Sequence, residues 1–279
     1  MSESVNLKAY FDRIGFSGSI APSAATLESL HALHPAVIPF ENLNPLLGLP
    51  VQLDQKSLER KLLSEKRGGY CFEHNLLFMR VLADLDFNVR PLGARVLWNR
   101  PEDTEAPVSH MILAVEISGN TYIADVGFGG LTLTAPLRLR DGSEQETPHE
   151  TFRLIDKEGV WHLEARIGED WRVLYTFDLS PFEEATYAPI NLDLATDPKS
   201  RFRTNLVAAL SPKDARHALA GTRFSTYRND GTHERRDLGD IDEIKEVLTD
   251  VFGISLPSSD ALDPALQRII EQSRAAESA

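Results

Sequence analysis

The chain holds a single cysteine, Cys71, in the segment Arg67-Gly68-Gly69-Tyr70-Cys71-Phe72-Glu73-His74-Asn75. Two glycines let the backbone pass close to a neighbour, and the apolar positions Phe72, Leu76, Met79 and Ala83 then recur at helical spacing. The cysteine therefore falls in the first turn of a helix, where unpaired N–H groups and the positive dipole end favour an anion. Thiols in such surroundings, above all beside an imidazolium, ionise readily and become nucleophiles at neutral pH. The competing reading makes Cys71 a small buried hydrophobe, the usual place of a free cysteine.

A thiol nucleophile needs a base, and the base needs a group that fixes its tautomer and stabilises its cation. Eight histidines are available. His74 stands three residues along the same helix and could touch Cys71, but it brings no third group with it. His110 opens the run HMILAVEI, and the following run TYIADVGF carries Asp125. With a two-residue Gly119-Asn120 turn, Ala114 faces Asp125, and His110 and Asp125 point to the same side of the hairpin. That register leaves them about four residues apart, on the order of 13 Å at the usual strand rise, so shear, twist or a bulge must close the gap. Taken singly, each has a plainer reading: a satisfied core or surface histidine, and a turn carboxylate. After Asp125 comes Val126-Gly127-Phe128-Gly129-Gly130, whose backbone N–H groups could approach a ligand. No Lys-Ser/Thr pair follows and the Rossmann spacing is missing, so it is neither kind of nucleotide loop.

The elements that must position these residues fall into three stretches. Up to about residue 88 the periodicity is helical: Asn6 to Ile14, stopping at Gly15; a segment capped by Ser23 that runs to Pro35; Asp54 to Lys66; and the helix from Cys71. From Val89 the period becomes two, predicting strands over Val89–Trp98, His110–Ile117, Thr121–Phe128, Thr151–Ile155, Val160–Ile167 and Trp171–Phe177. Arg100 to Pro107 reads as a solvent loop. Beyond Pro181 a short helical segment leads into Arg201–Leu210, Arg216–Arg228, an Asn229-Asp230-Gly231 turn and a helix near Ile241–Phe252. A last short helix follows Pro257, with Ala275 to Ala279 frayed.

Composition narrows the function classes. At 279 residues, 42 % hydrophobic and 25 % charged, the chain has the material for a sizeable core. A formal charge of −13 disfavours nucleic acid and anionic membranes as partners. No apolar stretch approaches the ~20 residues of a membrane span, and the amino terminus lacks a signal-peptide pattern, so a soluble, cytoplasmic protein is expected. One cysteine supports neither an intramolecular disulfide nor a cysteine-cluster metal site.

With these residues assembled, the sequence resembles the arylamine N-acetyltransferases. RGGYCFEHN is similar to that family's nucleophile motif, and SHMILAVEISGNTYIADVGFGG to its histidine and aspartate hairpin, with Cys71, His110 and Asp125 at the matching positions. Ile38-Pro39-Phe40-Glu41-Asn42-Leu43, Ser200-Arg201-Phe202 and Asn205-Leu206-Val207 extend the likeness over roughly residues 5 to 210. The resemblance implies an α+β fold with a cysteine-protease or transglutaminase-like core. Residues 1–88 would form a helical domain carrying the nucleophile, 89–200 an antiparallel β-barrel domain carrying His110 and Asp125, and 201–279 an α/β lid.

It also implies acetyl-CoA-dependent N-acetylation of arylamines or arylhydrazines, in ping-pong fashion, through an acetyl thioester on Cys71. Phe40, Val96, Phe128 and Phe202 would line the acceptor pocket and Gly127, Gly129 and Gly130 the CoA entrance, with no metal required and oligomerisation left open. For the CoA phosphates Lys199, Arg201, Arg203, Arg235 and Arg236 are candidates, against a reading as scattered surface charge. One departure stands out: Asn191-Leu192-Asp193-Leu194-Ala195-Thr196 occupies a place where aromatic residues are expected after the asparagine. Two rival readings keep the same residues: a thiol hydrolase or transglutaminase-like enzyme, and a non-catalytic binding module with an inert Cys71.

Overall fold

A computed structural model of the chain describes residues 4–101 and 104–277. Helix α1 (Leu7–Ile14) starts where the Asn6 side chain accepts from the Ala9 N–H and stops at Gly15 in the left-handed conformation, φ 72°. Ser23 caps α2 (Ala24–Val37) in the same way, through Thr26. The expected stop at Pro35 is not one. Pro35 is buried inside the last turn, its own carbonyl accepts from Ser211 N at 2.9 Å, and the helix closes with Ile38 N on His34 O.

The next elements are β1 (Phe40–Glu41), α3 (Leu43–Leu46) and α4 (Gln55–Leu58), which Asp54 caps and which continues as a π-helical turn over Glu59–Ser64. Helix α5 (Cys71–Asp84) is buried around most of its circumference, as its apolar pattern requires. The Gly-Gly segment before it lies against β1: Glu41 N donates to Gly69 O at 2.8 Å and Gly69 N to Pro39 O at 3.3 Å. Contact is so close that a Cβ on Gly68 would stand 1.9 Å from the Pro39 carbonyl oxygen.

Eight strands follow in an antiparallel sheet that curls into a nearly closed barrel: β2 (Asn88–Val96), β3 (His110–Ile117), β4 (Asn120–Ala124), β5 (Leu137–Arg138), β6 (Glu144–Glu146), β7 (Thr151–Lys157), β8 (Val160–Ile167) and β9 (Asp170–Phe177). Their order is β5-β4-β3-β2-β9-β8-β7-β6. Strand β4 ends at Ala124 rather than at Phe128, because the chain turns away as Asp125 is drawn toward α5. The loop expected over Arg100 to Pro107 contains residues 102–103, which lie outside the described residues; the remainder carries no strand. Both faces of β3 are covered. Ile112 and Ala114 join the barrel core with Leu92, Leu154 and Leu163, while Met111, Leu113 and Val115 join the core around α5.

The carboxyl-terminal part contains α6 (Glu184–Thr196), α7 (Arg201–Thr204), β10 (Val207–Leu210), β11 (Ala215–Ala220), β12 (Arg223–Arg228), β13 (His233–Asp237), α8 (Ile241–Glu246) with a π-helical continuation over Val247–Val251, and α9 (Leu262–Glu277). The run Arg216–Arg228 is two strands, split at Gly221 (φ 62°), and Ala275 to Glu277 belong to α9; 278 and 279 lie outside the described residues. The sheet order β1-β10-β11-β12-β13 brings Phe40 opposite Ala209, so a strand from the amino-terminal third edges the last sheet. No helix among the described residues is long and apolar enough to cross a membrane.

Gly68→Ala forces backbone against backbone next to the start of α5. We expect a loss of about 1–3 kcal/mol or more, the usual range for overpacking, in guanidinium unfolding, whereas Gly130→Ala, which meets open space, leaves the midpoint nearly unchanged.

Candidate active site

Cys71, His110 and Asp125 converge where the first turn of α5 meets the open end of the β3–β4 hairpin. The hairpin turn is Ser118-Gly119, both at positive φ (50° and 75°), so Ile117 pairs with Asn120 and Leu113 with Ala124. The Gly119-Asn120 turn expected from sequence is therefore corrected by one residue. That correction slides the partner strand by two positions, which keeps both side chains on the barrel face and halves the separation. The His110 Nε2 to Asp125 Oδ2 distance is 2.7 Å.

All three residues are nearly sealed, at 4 % exposure for Cys71, 2 % for His110 and none for Asp125. Since Nε2 is taken by the carboxylate, Nδ1 is the ring atom left for the sulfur, and Cys71 is near enough to act electrostatically on the imidazole. The thiol also approaches the Ser109 carbonyl at 3.9 Å. Burial alone would depress the His110 pKa. The Asp125 charge and hydrogen bond, followed by Cys71, outweigh it and push the pKa up to about 10. Burial works against the Asp125 anion too, but His110, then Asn75 and the Gly127 N–H, hold its pKa below the ordinary value. The resting pair is thus an imidazolium and a carboxylate.

The turn before Cys71 is fastened by two buried ion pairs. Arg67 donates to Glu41 Oε1 through Nη2 at 2.6 Å and Nε at 2.9 Å, and Lys61 Nζ lies 2.6 Å from Glu73 Oε1. Glu73 Oε2 in turn accepts from Tyr70 N at 3.0 Å, half of a capping box. Burial raises the Glu73 pKa despite Lys61; for Glu41 the Lys61 and Arg67 charges prevail over burial and lower it.

The residues expected to line the acceptor pocket form two ring groups. Phe128 packs on His110 and Tyr175, with centroids 5.3 and 5.2 Å away, and Val96 is the cross-strand partner of Tyr175. Phe40 meets Phe202 at 6.2 Å, and Phe202 meets Tyr70 at 5.2 Å. Gly127 abuts the Cys71 Cα, Gly129 (φ 95°) faces the Phe40 ring, and Gly130 faces open space. The five candidate cations divide between the α6–α7 region and the edge strand β13, and Arg203 Nη1 is engaged by Pro45 O at 3.0 Å. In the unusual stretch after Asn191, the Asn191 Oδ1 accepts from the Tyr70 hydroxyl, and Leu192, Ala195 and Thr196 border a cleft of about 380 Å³ that does not include Cys71.

His74 turns away from Cys71. Its Nε2 must donate to Pro39 O (3.1 Å), so Nδ1 accepts from His34 Nε2 (2.9 Å), and His34 Nδ1 accepts from the Tyr10 hydroxyl (2.9 Å). His31 Nε2 accepts from the Asp125 N–H at 3.1 Å. Sequence reasoning does not single out His31, Asn75 or Tyr175. The one available signal is Asn75 standing four residues, one helical turn, beyond Cys71.

Comparison with known proteins places this architecture. The N-acetyltransferase family model matches residues 23–261. An arylamine N-acetyltransferase of Mycobacterium tuberculosis is 41 % identical over 256 residues, covering 90 % of each chain. One of Escherichia coli is 41 % identical over 251 residues, covering 90 % of this chain and 89 % of its own. The solved structure of Mycobacterium marinum arylamine N-acetyltransferase in complex with CoA shares 37 % identity at a TM-score of 0.90, covering 95 % of this chain and 99 % of that one. The chain is an acetyltransferase. It belongs to the arylamine N-acetyltransferase family.

Burial drives the His31 and His74 pKa values down to about 4. Below pH 6.5 the unfolded chain takes up protons there that the folded chain refuses, so their contribution to stability is whole above pH 6.5 and declines toward pH 4. Between pH 6 and 5 each removes about 1.2 kcal/mol. Urea unfolding should show this acid slope, and His74→Gln should lessen it by one such increment. His110 acts oppositely: its contribution is present below 6.5 and lost as pH rises through about 10.

Proposed function

We propose that Cys71 is the nucleophile, His110 the general base and acid, and Asp125 the group that orients and stabilises the imidazolium, in transfer of acetyl from acetyl-CoA to arylamines or arylhydrazines. The observation that carries the reading is the buried row of thiol, imidazole and carboxylate at a helix start. The Cys71 thiolate attacks the thioester carbonyl, and backbone N–H groups near Cys71 stabilise the oxyanion as it forms. His110 gives its proton to the departing CoA sulfur, leaving an acetyl thioester on Cys71. An arylamine nitrogen attacks that thioester, neutral His110 takes a proton from it, and the thiolate–imidazolium pair is restored as the amide leaves. The CoA named in the Mycobacterium marinum complex supports acetyl-CoA as donor.

Phe40, Val96, Phe128 and Phe202 suit a planar acceptor, and the loop of Gly127, Gly129 and Gly130, open at Gly130, would border the pantetheine arm. The same reading divides the chain into residues 1–88, 89–200 and 201–279 and places a metal-free enzyme in the cytoplasm.

Mixing with acetyl-CoA and weighing the intact protein tests this. One acetyl group per chain is expected, absent in Cys71→Ala and discharged by an arylhydrazine. Folded wild-type protein that stays unmodified would overturn the assignment, and prompt loss of the acetyl group to water would favour the hydrolase alternative.

A further inference from the structure

Asn75 is wholly buried, and its amide is fully used. Nδ2 donates to Asp125 Oδ1 at 2.9 Å and to Met111 O at 2.7 Å, and Oδ1 accepts from Val126 N at 3.1 Å. The orientation is unambiguous, since the flipped amide would set its oxygen against a carbonyl and a carboxylate. No other residue type supplies two donors and one acceptor at this reach. Aspartate would put two carboxylates face to face, and alanine would leave three buried groups short of partners.

Asn75 and Cys71 sit one turn apart on the same face of α5. One rigid helix therefore holds the sulfur at one point and the Asp125 carboxylate at another, and His110 spans the gap between them. The remaining contacts of Asp125 complete the grip: Gly127 N donates to Oδ1 at 2.9 Å, Thr132 Oγ1 to the main-chain O at 2.9 Å, and the main-chain N–H goes to His31. Only Oδ2 is left for His110.

We infer that Asn75 is a positioning residue for this reaction, closing Cys71, His110 and Asp125 into a ring and keeping the Asp125 charge directed at the imidazole. The inference rests on the triad reading above. It requires that Asn75 act through Asp125 on His110, which a residue needed only for folding would not do. The other titratable groups facing the pair are Cys71 from α5, His31 from α2 and the buried Tyr175 hydroxyl from β9; His31 and Tyr175 are both held neutral by burial.

The test compares wild type with Asn75→Ala and Asn75→Ser. It reads the His110 imidazole by nitrogen NMR across pH in the resting protein, and kcat and KM for acetyl-CoA in turnover. The expected result is a His110 titration at least one pH unit below that of wild type, a tenfold weaker hold on the proton, with kcat reduced at least tenfold and KM within twofold. An unmoved His110 titration in a folded variant, with activity tracking only the folded fraction, overturns the inference, as does failure of both variants to fold. The triad reading fails separately, through a wild-type protein that is never acetylated.

Discussion

A carboxylate with no exposed surface is the constraint to which the rest of the site answers. Asp125 cannot remain ionised in a dry interior unless every lone pair is engaged and an opposite charge lies close. The fold supplies His110 at 2.7 Å, an amide from α5 and the Gly127 N–H for the carboxylate, with the Thr132 hydroxyl and His31 for the main-chain O and N–H. They come from α2, α5, β3 and the stretch after β4. The packing of α2, α5, β3 and β4 is thus coupled to one charge, and the imidazolium beside Cys71 exists because that charge is held in place.

Around this centre the polypeptide uses further buried pairs to set the approach to Cys71. Arg67 with Glu41 and Lys61 with Glu73 fix the Gly68-Gly69 bend against Pro39 and Phe40, so the backbone that delivers the sulfur also places the Phe40 ring. Removing either member of such a pair strands its partner in low dielectric, where the loss is far larger than for a surface pair.

Much of this was legible in the residues. Helical period identified α5, a continuous β-rich apolar run identified β3, and parity alone put His110 and Asp125 on one face. The separation was misjudged because the turn rests on Ser118 at positive φ, a position where glycine would have announced itself and serine does not. Strands β5 and β6, two and three residues long, are too short to carry a period. The Tyr10–His34–His74 chain and the His31 bond depend on how α2 lies across α5, which no spacing within one helix discloses. Asn75 was in plain view four residues beyond Cys71, but its partners lie on β3 and beyond β4 and become apparent only with the tertiary packing.

The junction of β1 with β10 bears on the timing of assembly. Asn42 donates to the carbonyls of Phe202 and Asn205 and accepts from Val207 N, and Phe40 pairs with Ala209. These links join positions 160 or more residues apart, so they cannot all form on a ribosome until about three quarters of the polypeptide has emerged. Until then the Pro39–Asn42 edge lacks its neighbour, and the nascent chain carries Cys71 on a helix whose surroundings are incomplete. Competence for group transfer is in this sense a late event in synthesis, set by strand pairing rather than by the appearance of the reactive residues themselves.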